Sequence, residues 1–219
     1  MSIAGFFRAT KLTLVEKIPE NSDVVTFYFA PARPLRHRAG QHGLFMLPHL
    51  QGARVFSLAS APSEKYVAIS THIRAGSVYK QHLAAMRKGD TLTLLGPTLN
   101  FTFMPQVSRY VFVAQGIGIT PFRSMLLEAE AQNMQIETTL IHVSSGAHLF
   151  RRETETAATH AYYSSTSKEL TKQLLKLPKS YEVQYYLSGS PVFIRAAKQT
   201  LIDSGVSRRC IKTDGFHGY

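Results

Sequence analysis

Hydrophobic and polar residues are distributed differently in the two halves of the chain. In residues 1–105 the apolar segments are short, rich in β-branched and aromatic residues, and separated by proline, glycine and aspartate. Segments of this kind between turn residues favour strands. The pattern predicts strands at 10–18, 24–29, 44–47, 55–58, 66–71 and 91–95, and one helix at about 77–86. Six short strands so spaced are typical of a closed or nearly closed antiparallel barrel.

After Pro105 the pattern changes to strands that alternate with helices. The predicted strands are 110–114, 137–143 and 184–187, with a short final segment at 209–213, and the predicted helices are 121–132, one from Leu149, 168–175 and 192–204. This alternation predicts a doubly wound parallel sheet, which binds ligands at the carboxyl ends of its strands. We therefore predict two domains, an N-terminal β-barrel over 1–105 and a C-terminal α/β domain over 106–219.

The segment 110–125 joins a predicted strand to a predicted helix through a turn that contains Gly116 and Gly118. Pro121 follows at the position of a first helical residue, where proline is favoured. A strand, a glycine turn and a helix N-terminus together offer backbone N–H groups and a helix dipole to a phosphate. The spacing G-x-G-x-x-P differs from the six-residue dinucleotide pattern, and a purely structural turn uses the same residues. Both interpretations stay open on this segment alone.

Composition limits the classes of protein that the chain can belong to. The 219 residues contain no apolar run long enough to span a bilayer, and the first residues lack the pattern of a secretory signal. The single cysteine, Cys210, excludes internal disulfides and any iron–sulfur cluster held by several cysteines of this chain. His42, His72, His82 and His142 have no spacing typical of metal ligands. We therefore expect a cytoplasmic protein without a bound metal.

The formal net charge of +11 is spread along the chain. Residues 1–105 contain 12 Lys and Arg against 5 Asp and Glu, and residues 106–219 contain 13 against 9. Such a charge favours acidic partners, for example anionic cofactors or an acidic electron carrier. Basic runs interleaved with aromatic residues are absent, as is tryptophan, so we do not expect nucleic acid to be the partner.

Arg54, Phe56 and Ser57 lie within four residues of each other on a predicted barrel strand. Arg54 and Phe56 share one face of that strand because side chains alternate with a period of two. A guanidinium, an aromatic ring and a hydroxyl suit a ligand with a phosphate, a flat ring and a hydrogen-bonding edge. A surface arginine, a core phenylalanine and a strand serine would give the same sequence.

Several motifs in one order and spacing resemble those of the ferredoxin–NADP reductase-like flavoproteins. They are the segments 40–41, 54–57 (R-x-[YF]-S), 96–97, 116–121, 188–191 and 216–219. The resemblance covers residues 10 to 219 and implies a Greek-key barrel that binds flavin and a doubly wound sheet that binds NAD(P), in a stand-alone form without an iron–sulfur domain. Two positions depart from the family pattern, because Leu99 and Gln115 stand where many members have glycine.

In the barrel, the resemblance assigns flavin binding to the segment of Arg54, Val55, Phe56 and Ser57. Arg54 would pair with the flavin phosphate, Phe56 would pack on the isoalloxazine ring, and Ser57 would hydrogen-bond near N5, which makes it a candidate catalytic residue. The N–H groups of the segment 76–80 would face the pyrophosphate, with Gly76, Ser77 and Lys80 as its binding residues. Ser77 is equally suited to cap the helix, and Lys80 to be an exposed helical lysine.

In the α/β domain, the resemblance assigns binding of the nicotinamide nucleotide to four residues of the glycine turn, Gly116, Gly118, Thr120 and Pro121. Ser144 and Arg151 would lie near the adenosine ribose. The absence of an acidic residue there, together with two arginines at 151–152, favours NADPH over NADH. A solvated helix face would explain the same arginines.

The resemblance also implies roles for residues close to the reacting groups. Ser188 and Gly189 would lie beside the nicotinamide, with Ser188 at the position of the family's cysteine, although a strand-to-helix turn also favours serine. Phe216 and Tyr219 would cover the flavin, or belong to a tail packed on the barrel. Ser57, Ser188, Phe216 and Tyr219 are therefore the candidate catalytic residues.

The expected activity is hydride transfer from NADPH or NADH to a flavin, with FAD favoured over FMN. The electrons would pass to an acidic carrier such as ferredoxin or flavodoxin, which the basic surface would attract. Two alternatives remain open. One is a reductase for a small acceptor such as free flavin, a ferric chelate or a quinone, and the other is a non-catalytic binding or regulatory module on the same fold.

Overall fold

In the computed structural model the chain divides into two compact units, Met1–Thr102 and Phe103–Tyr219. The structure describes residues 9–73, 77–98 and 101–216. Each unit contains one β-sheet, antiparallel in the first and parallel in the second. Among the described residues, no helix has the length and apolar character that crossing a bilayer requires.

The first unit is a curled antiparallel sheet of six strands in the order β4-β3-β6-β1-β2-β5. Its elements are β1 (Ala9–Pro19), β2 (Val24–Pro31), β3 (His42–Met46), β4 (Arg54–Ser57), β5 (Val67–His72), α1 (Val78–Ala85) and β6 (Thr91–Thr98). The two edges of the sheet approach each other, since the N–H of Ala59, just beyond β4, donates to the carbonyl of Ala68 in β5 at 2.8 Å. This is the nearly closed barrel that the alternating pattern predicted.

The barrel core follows directly from that alternation. Leu12 and Leu14 of β1 and Phe27 and Phe29 of β2 are buried, whereas the residues between them are more exposed or pack elsewhere. Together with Phe45 of β3, these side chains form one apolar cluster. Helix α1 covers this cluster with its buried residues Tyr79 and Leu83.

The second unit is a parallel sheet of five strands in the order β11-β10-β7-β8-β9. Its elements are β7 (Arg109–Gln115), α2 (Thr120–Ala131), β8 (Glu137–Val143), α3 (Arg151–Ala157), β9 (His160–Ser164), α4 (Ser167–Lys176), β10 (Val183–Gly189), α5 (Pro191–Asp203) and β11 (Ile211–Gly215), with 3₁₀ turns at Gly116–Ile119 and Arg208–Cys210. The doubly wound prediction is confirmed.

Residues of β7 pack on opposite faces of the sheet. The rings of Tyr110 and Phe112 contact one another, and Phe112 stacks on Phe122 of α2 at a centroid distance of 4.9 Å. Val111 and Val113 point to the other face, into an apolar cluster with residues of α4 and α5. Because both faces of the strand are covered, the sequence of β7 is a nearly continuous run of apolar residues.

Two parts of this unit differ from the sequence-based prediction. Strand β9 was missed, because it lies at the edge of the sheet and its residues are mostly exposed, so its sequence lacks an apolar pattern. The helix predicted from Pro121 instead begins at Thr120 and is preceded directly by the 3₁₀ turn Gly116–Ile119. The glycine turn is therefore itself helical.

Candidate functional site

In the parallel sheet, β8 and β9 lie on one side of β7, whereas β10 and β11 lie on its other side. The direction in which successive strands are added therefore reverses between β7 and β10. These two strands are neighbours, with Ala114 paired to Ser188, although three helices and two strands separate them along the chain. In doubly wound sheets, the carboxyl ends of such a strand pair border a crevice that binds ligands. Here the glycine turn follows β7 and the segment Ser188 to Ser190 ends β10, so these two segments border the position of such a crevice. We call it the switch-point crevice.

Gly118 allows the glycine turn to approach β10 closely. A Cβ atom at Gly118 would lie 2.4 Å from the carbonyl oxygen of Ser188 and 3.0 Å from the nitrogen of Gly189. Because both are backbone atoms, any larger residue would force the turn and the strand apart. The purely structural interpretation of the motif therefore explains Gly118.

Gly116 has a different environment. Its φ is +52°, a left-handed conformation that favours glycine, and a Cβ atom there would have no neighbour within 4 Å. Neither the 3₁₀ turn that begins at Gly116 nor α2 has a side-chain cap. Uncapped N–H groups and open space at a helix N-terminus form an arrangement that fits an anion such as a phosphate.

The remaining residues predicted on this turn are buried within it. The Thr120 hydroxyl donates to the carbonyl oxygen of Ile117 at 3.1 Å, and Pro121 lies in the first turn of α2. Both residues are almost inaccessible to solvent. They shape the turn, and their predicted contact with a nucleotide stays a prediction.

Gln115 joins the two sides of the switch-point crevice. Its side-chain oxygen Oε1 accepts hydrogen bonds from the hydroxyl of Ser190 at 2.7 Å and from the backbone N–H of Ser190 at 3.2 Å. The Ser190 hydroxyl in turn accepts from the N–H of Phe193 and caps α5. A glycine at position 115 would lack this bridge, so the departure from the family pattern has a structural consequence that sequence reasoning missed.

His142, at the end of β8, holds the glycine turn from the other side. Its Nε2–H donates to the carbonyl oxygen of Gly116 at 2.9 Å, and its ring contacts those of His148 and Tyr163. Burial lowers the pKa of His142 to about 4, so the ring is neutral near pH 7. Sequence reasoning examined His142 only as a possible metal ligand and found no typical ligand spacing. It missed the contact with Gly116, because no local pattern indicates it.

Ser188 places an unpaired hydroxyl at the crevice. The residue is fully buried at the carboxyl end of β10, and its Oγ has no hydrogen-bond partner among the residues that the structure describes. Buried hydroxyls in folded proteins are almost always hydrogen-bonded. Because Ser188 is fully buried, a ligand would reach its hydroxyl only after neighbouring groups moved aside, and its predicted contact with a nicotinamide stays a prediction.

On the barrel, Arg54 and Phe56 of β4 meet a third residue, Tyr79 of α1. The Arg54 guanidinium carbon lies 5.5 Å from the centre of the Tyr79 ring, and the ring centres of Phe56 and Tyr79 are 6.1 Å apart. The Tyr79 hydroxyl donates to the carbonyl oxygen of Phe45 at 2.9 Å. Sequence reasoning placed Arg54 and Phe56 on one face but missed Tyr79, which comes from a different element.

The other two residues of this strand segment have contrasting environments. The Ser57 hydroxyl is buried and lies 3.1 Å from Nε2 of His42 in β3, within hydrogen-bond distance. Val55 is 53% exposed. Their predicted contacts with a flavin stay predictions.

Comparison with solved structures shows which known folds this chain resembles. No protein-family model matches the chain. The Amycolatopsis cytochrome P450 reductase GcoB superposes with a TM-score of 0.82 and 19% identity, over 96% of this chain and 70% of that one. Ferredoxin–NADP⁺ reductase from Plasmodium falciparum gives 0.80 and 16%, over 94% and 95%. The chain is ferredoxin–NADP reductase-like in fold. The FAD/NAD-binding domain of Vibrio cholerae nitric oxide dioxygenase gives 0.78 and 22%, over 94% and 98%.

Curated relatives of this chain are longer proteins. The flavohemoprotein of Pseudomonas putida is 29% identical over 226 residues, which cover 92% of this chain and 58% of that protein. The carnitine monooxygenase reductase subunit of Escherichia coli is 26% identical over 221 residues, covering 94% and 66%. The chain therefore spans less than two thirds of the length of either relative. The fold that the motif resemblance implied is confirmed.

Ser77 has the capping role that was one of its two predicted roles. Its side chain accepts a hydrogen bond from the N–H of Lys80 at 3.4 Å and caps α1. Lys80 is partly buried, so the alternative of a freely exposed lysine is wrong. Gly76 and Leu99 lie outside the described residues.

At the predicted adenosine end, Ser144 and Arg151 both have partners within the protein. The Ser144 hydroxyl donates to the carbonyl oxygen of Ala147 and accepts from the N–H of Gly146. The Arg151 guanidinium lies 4.6 Å from the centre of the Tyr163 ring, and its Nε is 3.5 Å from a carboxylate oxygen of Glu155. The side chain of Arg151 is half exposed, so it remains accessible to an anion.

The C-terminal segment follows β11 beside the end of β10. The N–H of Phe216 donates to the carbonyl oxygen of Gly189 at 2.9 Å, which holds partly buried Phe216 at the same sheet edge as the switch-point crevice. Gly189 itself has a φ of +155°, and a Cβ there would lie 2.8 Å from Cβ of Gln115. Tyr219 lies outside the described residues.

Proposed function

We propose that this chain is a flavin-dependent reductase that takes a hydride from NADPH or NADH and delivers electrons to a separate acceptor. The observation that carries this proposal is the switch-point crevice, where an uncapped helical turn at Gly116 and the unpaired, buried hydroxyl of Ser188 lie on adjacent strands. The first suits a phosphate and the second a polar ring substituent. A dinucleotide with a nicotinamide contains both groups.

The barrel would hold FAD through its own side chains. Arg54 would pair with a phosphate, the half-buried ring of Phe56 would lie against the flavin, and the Ser57 hydroxyl would hydrogen-bond near its N5 edge. Ser77 and Lys80 at the start of α1, with Gly76, would lie near the pyrophosphate. Bound FAD would supply two-electron redox chemistry that amino-acid side chains lack.

The α/β unit would position the nicotinamide nucleotide and exclude water from it. Gly116, Gly118, Thr120 and Pro121 shape the phosphate end, while Ser188 and Gly189 would border the nicotinamide. Phe216 and Tyr219 would cover the flavin face until the nicotinamide enters. We favour NADPH as donor, because Ser144 has no carboxylate beside it in the sequence and the half-exposed Arg151 offers a cation to a 2′-phosphate.

We propose an acidic electron carrier, such as ferredoxin or flavodoxin, as the acceptor. The net charge of +11 supports this choice, because a positive surface attracts an acidic protein and speeds its association. Several relatives are named as reductase components of oxygenases, including the Pseudomonas phenol 2-monooxygenase component DmpP, which is 33% identical over 104 residues, 44% of this chain and 28% of that protein. A cytoplasmic location, where nicotinamide nucleotides are plentiful, is part of the proposal.

The test is reconstitution with FAD followed by anaerobic mixing with NADPH or NADH in a stopped-flow spectrometer. We expect a yellow protein whose flavin absorbance bleaches faster with NADPH. A protein that takes up no FAD, or whose flavin neither nucleotide bleaches, would contradict the proposal and favour a non-catalytic module. Reoxidation by ferredoxin or flavodoxin, compared with free flavin, ferric citrate and quinone, then identifies the class of acceptor.

A further inference from the structure

Helix α4 packs on one face of the parallel sheet but leaves the edge strand β9 partly uncovered. Its residues Leu170 and Leu174 are buried in the apolar cluster on that face, whereas Tyr162 of β9 is 47% exposed. Tyr162 is paired with Ile141 of β8, so the two side chains lie side by side on the same face. A groove therefore remains between the helix and the edge of the sheet.

This groove, which we call the α4 groove, has a volume of about 460 Å³. Sites for small molecules are of this size, largely apolar, and contain a few polar groups that fix the orientation of the ligand. Ile141 and Leu177 supply buried apolar surface, and the ring of Tyr162 lines the side of β9. Lys172 and Lys176 line the side of α4. The groove thus combines an apolar floor with two cations.

The two lysines of the α4 groove lie one helical turn apart. Neither Lys172 nor Lys176 forms a hydrogen bond or an ion pair within the described part of the chain. Like charges at this spacing repel each other. Glu169 also lines the groove, but its carboxylate is held at the start of α4, where it accepts a hydrogen bond from the N–H of Ser165 at 3.0 Å. The two positive charges are therefore available to an anion.

We propose that the α4 groove binds a small organic anion that has an apolar, ring-containing body and one carboxylate. The body lies on Ile141 and Leu177 and against the ring of Tyr162, where burial of apolar surface drives binding. The carboxylate lies between the ammonium groups of Lys172 and Lys176 and relieves their mutual repulsion. This site goes beyond the reductase activity proposed above, which assigns no ligand to this face of the sheet.

The α4 groove is distinct from the switch-point crevice. Helix α4 starts after the carboxyl end of β9 and runs back across the sheet, so Lys176, Leu177 and Pro178 lie toward the amino ends of the strands. The crevice lies at the carboxyl ends of β7 and β10, whereas the groove is lined by β8 and β9. A ligand in the groove therefore leaves the dinucleotide position open, and the two sites can be occupied together.

The test follows the amide NMR signals of the isotope-labelled full chain during titration with 2-naphthoate, in excess FAD and NADP⁺. The neutral isostere 2-naphthamide is the comparison probe. We expect saturable shifts of amides in β8, β9 and α4, with a Kd for 2-naphthoate about fivefold below that of 2-naphthamide, as for two exposed charge contacts. The same titration without the nucleotides should give the same Kd values, so the result does not depend on the proposed function.

Variants separate the charge of the groove from its apolar surface. Lys172→Gln combined with Lys176→Gln should raise the Kd of 2-naphthoate about fivefold and leave that of 2-naphthamide unchanged. Lys168→Gln is the matched control, because this exposed lysine lies one turn before Lys172 on α4 but does not line the groove, and it should change either Kd less than about twofold. Tyr162→Ser removes the ring and should raise both Kd values about fivefold.

Thermal melting confirms that each variant is folded. Absence of saturable shifts at the α4 groove would overturn the inference, as would equal affinity of the wild-type protein for the two probes. A loss in Lys168→Gln as large as in the double variant would also contradict it, because the anion would then respond only to the general charge of a basic helix.

Discussion

The two units present different chemical groups at their candidate sites. The barrel offers side chains, since Arg54 and Phe56 of β4 meet Tyr79 of α1 on one surface. The α/β unit offers mainly backbone, since Gly118 lies against the main chain of Ser188 and the N–H groups after Gly116 are uncapped. Side-chain sites tolerate conservative exchange, such as phenylalanine or tyrosine in the third position of the motif R-x-[YF]-S. Backbone sites depend on the absence of a side chain.

The largest effect that we expect concerns pH and the α/β unit. The pKa of His142 lies at about 4 in the folded protein, lowered by burial from an unfolded value of 6.5. Between these pH values the unfolded chain binds more protons than the folded protein. The free energy of unfolding is therefore highest above pH 6.5 and falls by about 3 kcal/mol as the pH drops to 4. The facing His148, whose pKa is lowered by burial and by Arg151, acts in the same direction.

Hydrogen exchange of the β7 and β8 amides, measured from pH 7.5 to 4.5, tests this dependence. His142→Gln keeps an N–H donor for Gly116 without titrating in this range, and should flatten the pH profile. His160→Gln, at an exposed histidine of β9, is the control and should retain the wild-type slope. A profile that is unchanged in His142→Gln would refute the role of this histidine.

The second effect tests whether the α/β site depends on backbone approach. Gly118→Ala would place a Cβ 2.4 Å from the carbonyl oxygen of Ser188, so the turn Gly116–Ile119 and β10 must separate slightly. We expect a loss of about 2 kcal/mol in the free energy of unfolding of this unit, with weaker NADP⁺ binding. Gly146→Ala has no neighbour within 4 Å and should change neither quantity. Equal stability of the two variants would show that the crevice is not closely packed.

The third effect concerns the side-chain site of the barrel. Arg54→Ala should raise the Kd of FAD about tenfold through loss of a charge-assisted phosphate contact, while Arg54→Lys should have a smaller effect. Fluorescence titration of the apoprotein with FAD measures both. Arg87→Ala removes an exposed arginine beyond α1 and serves as the control. Unaltered FAD affinity in Arg54→Ala would contradict the phosphate-binding role of Arg54.

The smallest effect separates the two roles predicted for Ser77. Ser77→Ala should lower the stability of the barrel by about 1 kcal/mol, since α1 loses its cap, and Ser77→Gly by only a few tenths. Thr166→Ala, which removes the equivalent cap of α4, should have a similar effect on the α/β unit. Thermal melting with and without FAD measures these changes. If FAD does not widen the difference in melting temperature between Ser77→Ala and wild type, the residue acts as a cap alone.

Periodicity in the sequence was enough to predict the architecture. Short alternating segments before Pro105 and strand–helix alternation after it correspond to the antiparallel and parallel sheets, because local side-chain alternation decides which face of an element is buried. The same rule placed Arg54 and Phe56 on one face. It failed for β9, where an exposed edge strand carries no apolar pattern.

The tertiary structure alone decided which distant residues complete the sites. Gln115 and Ser190 are 75 residues apart, His142 and Gly116 are 26 apart, and Tyr79 reaches Arg54 from a helix that follows the next strand. These contacts depend on which strands become neighbours and on how closely the backbones approach. Local sequence patterns record the burial of each residue but not the identity of the residue that it meets.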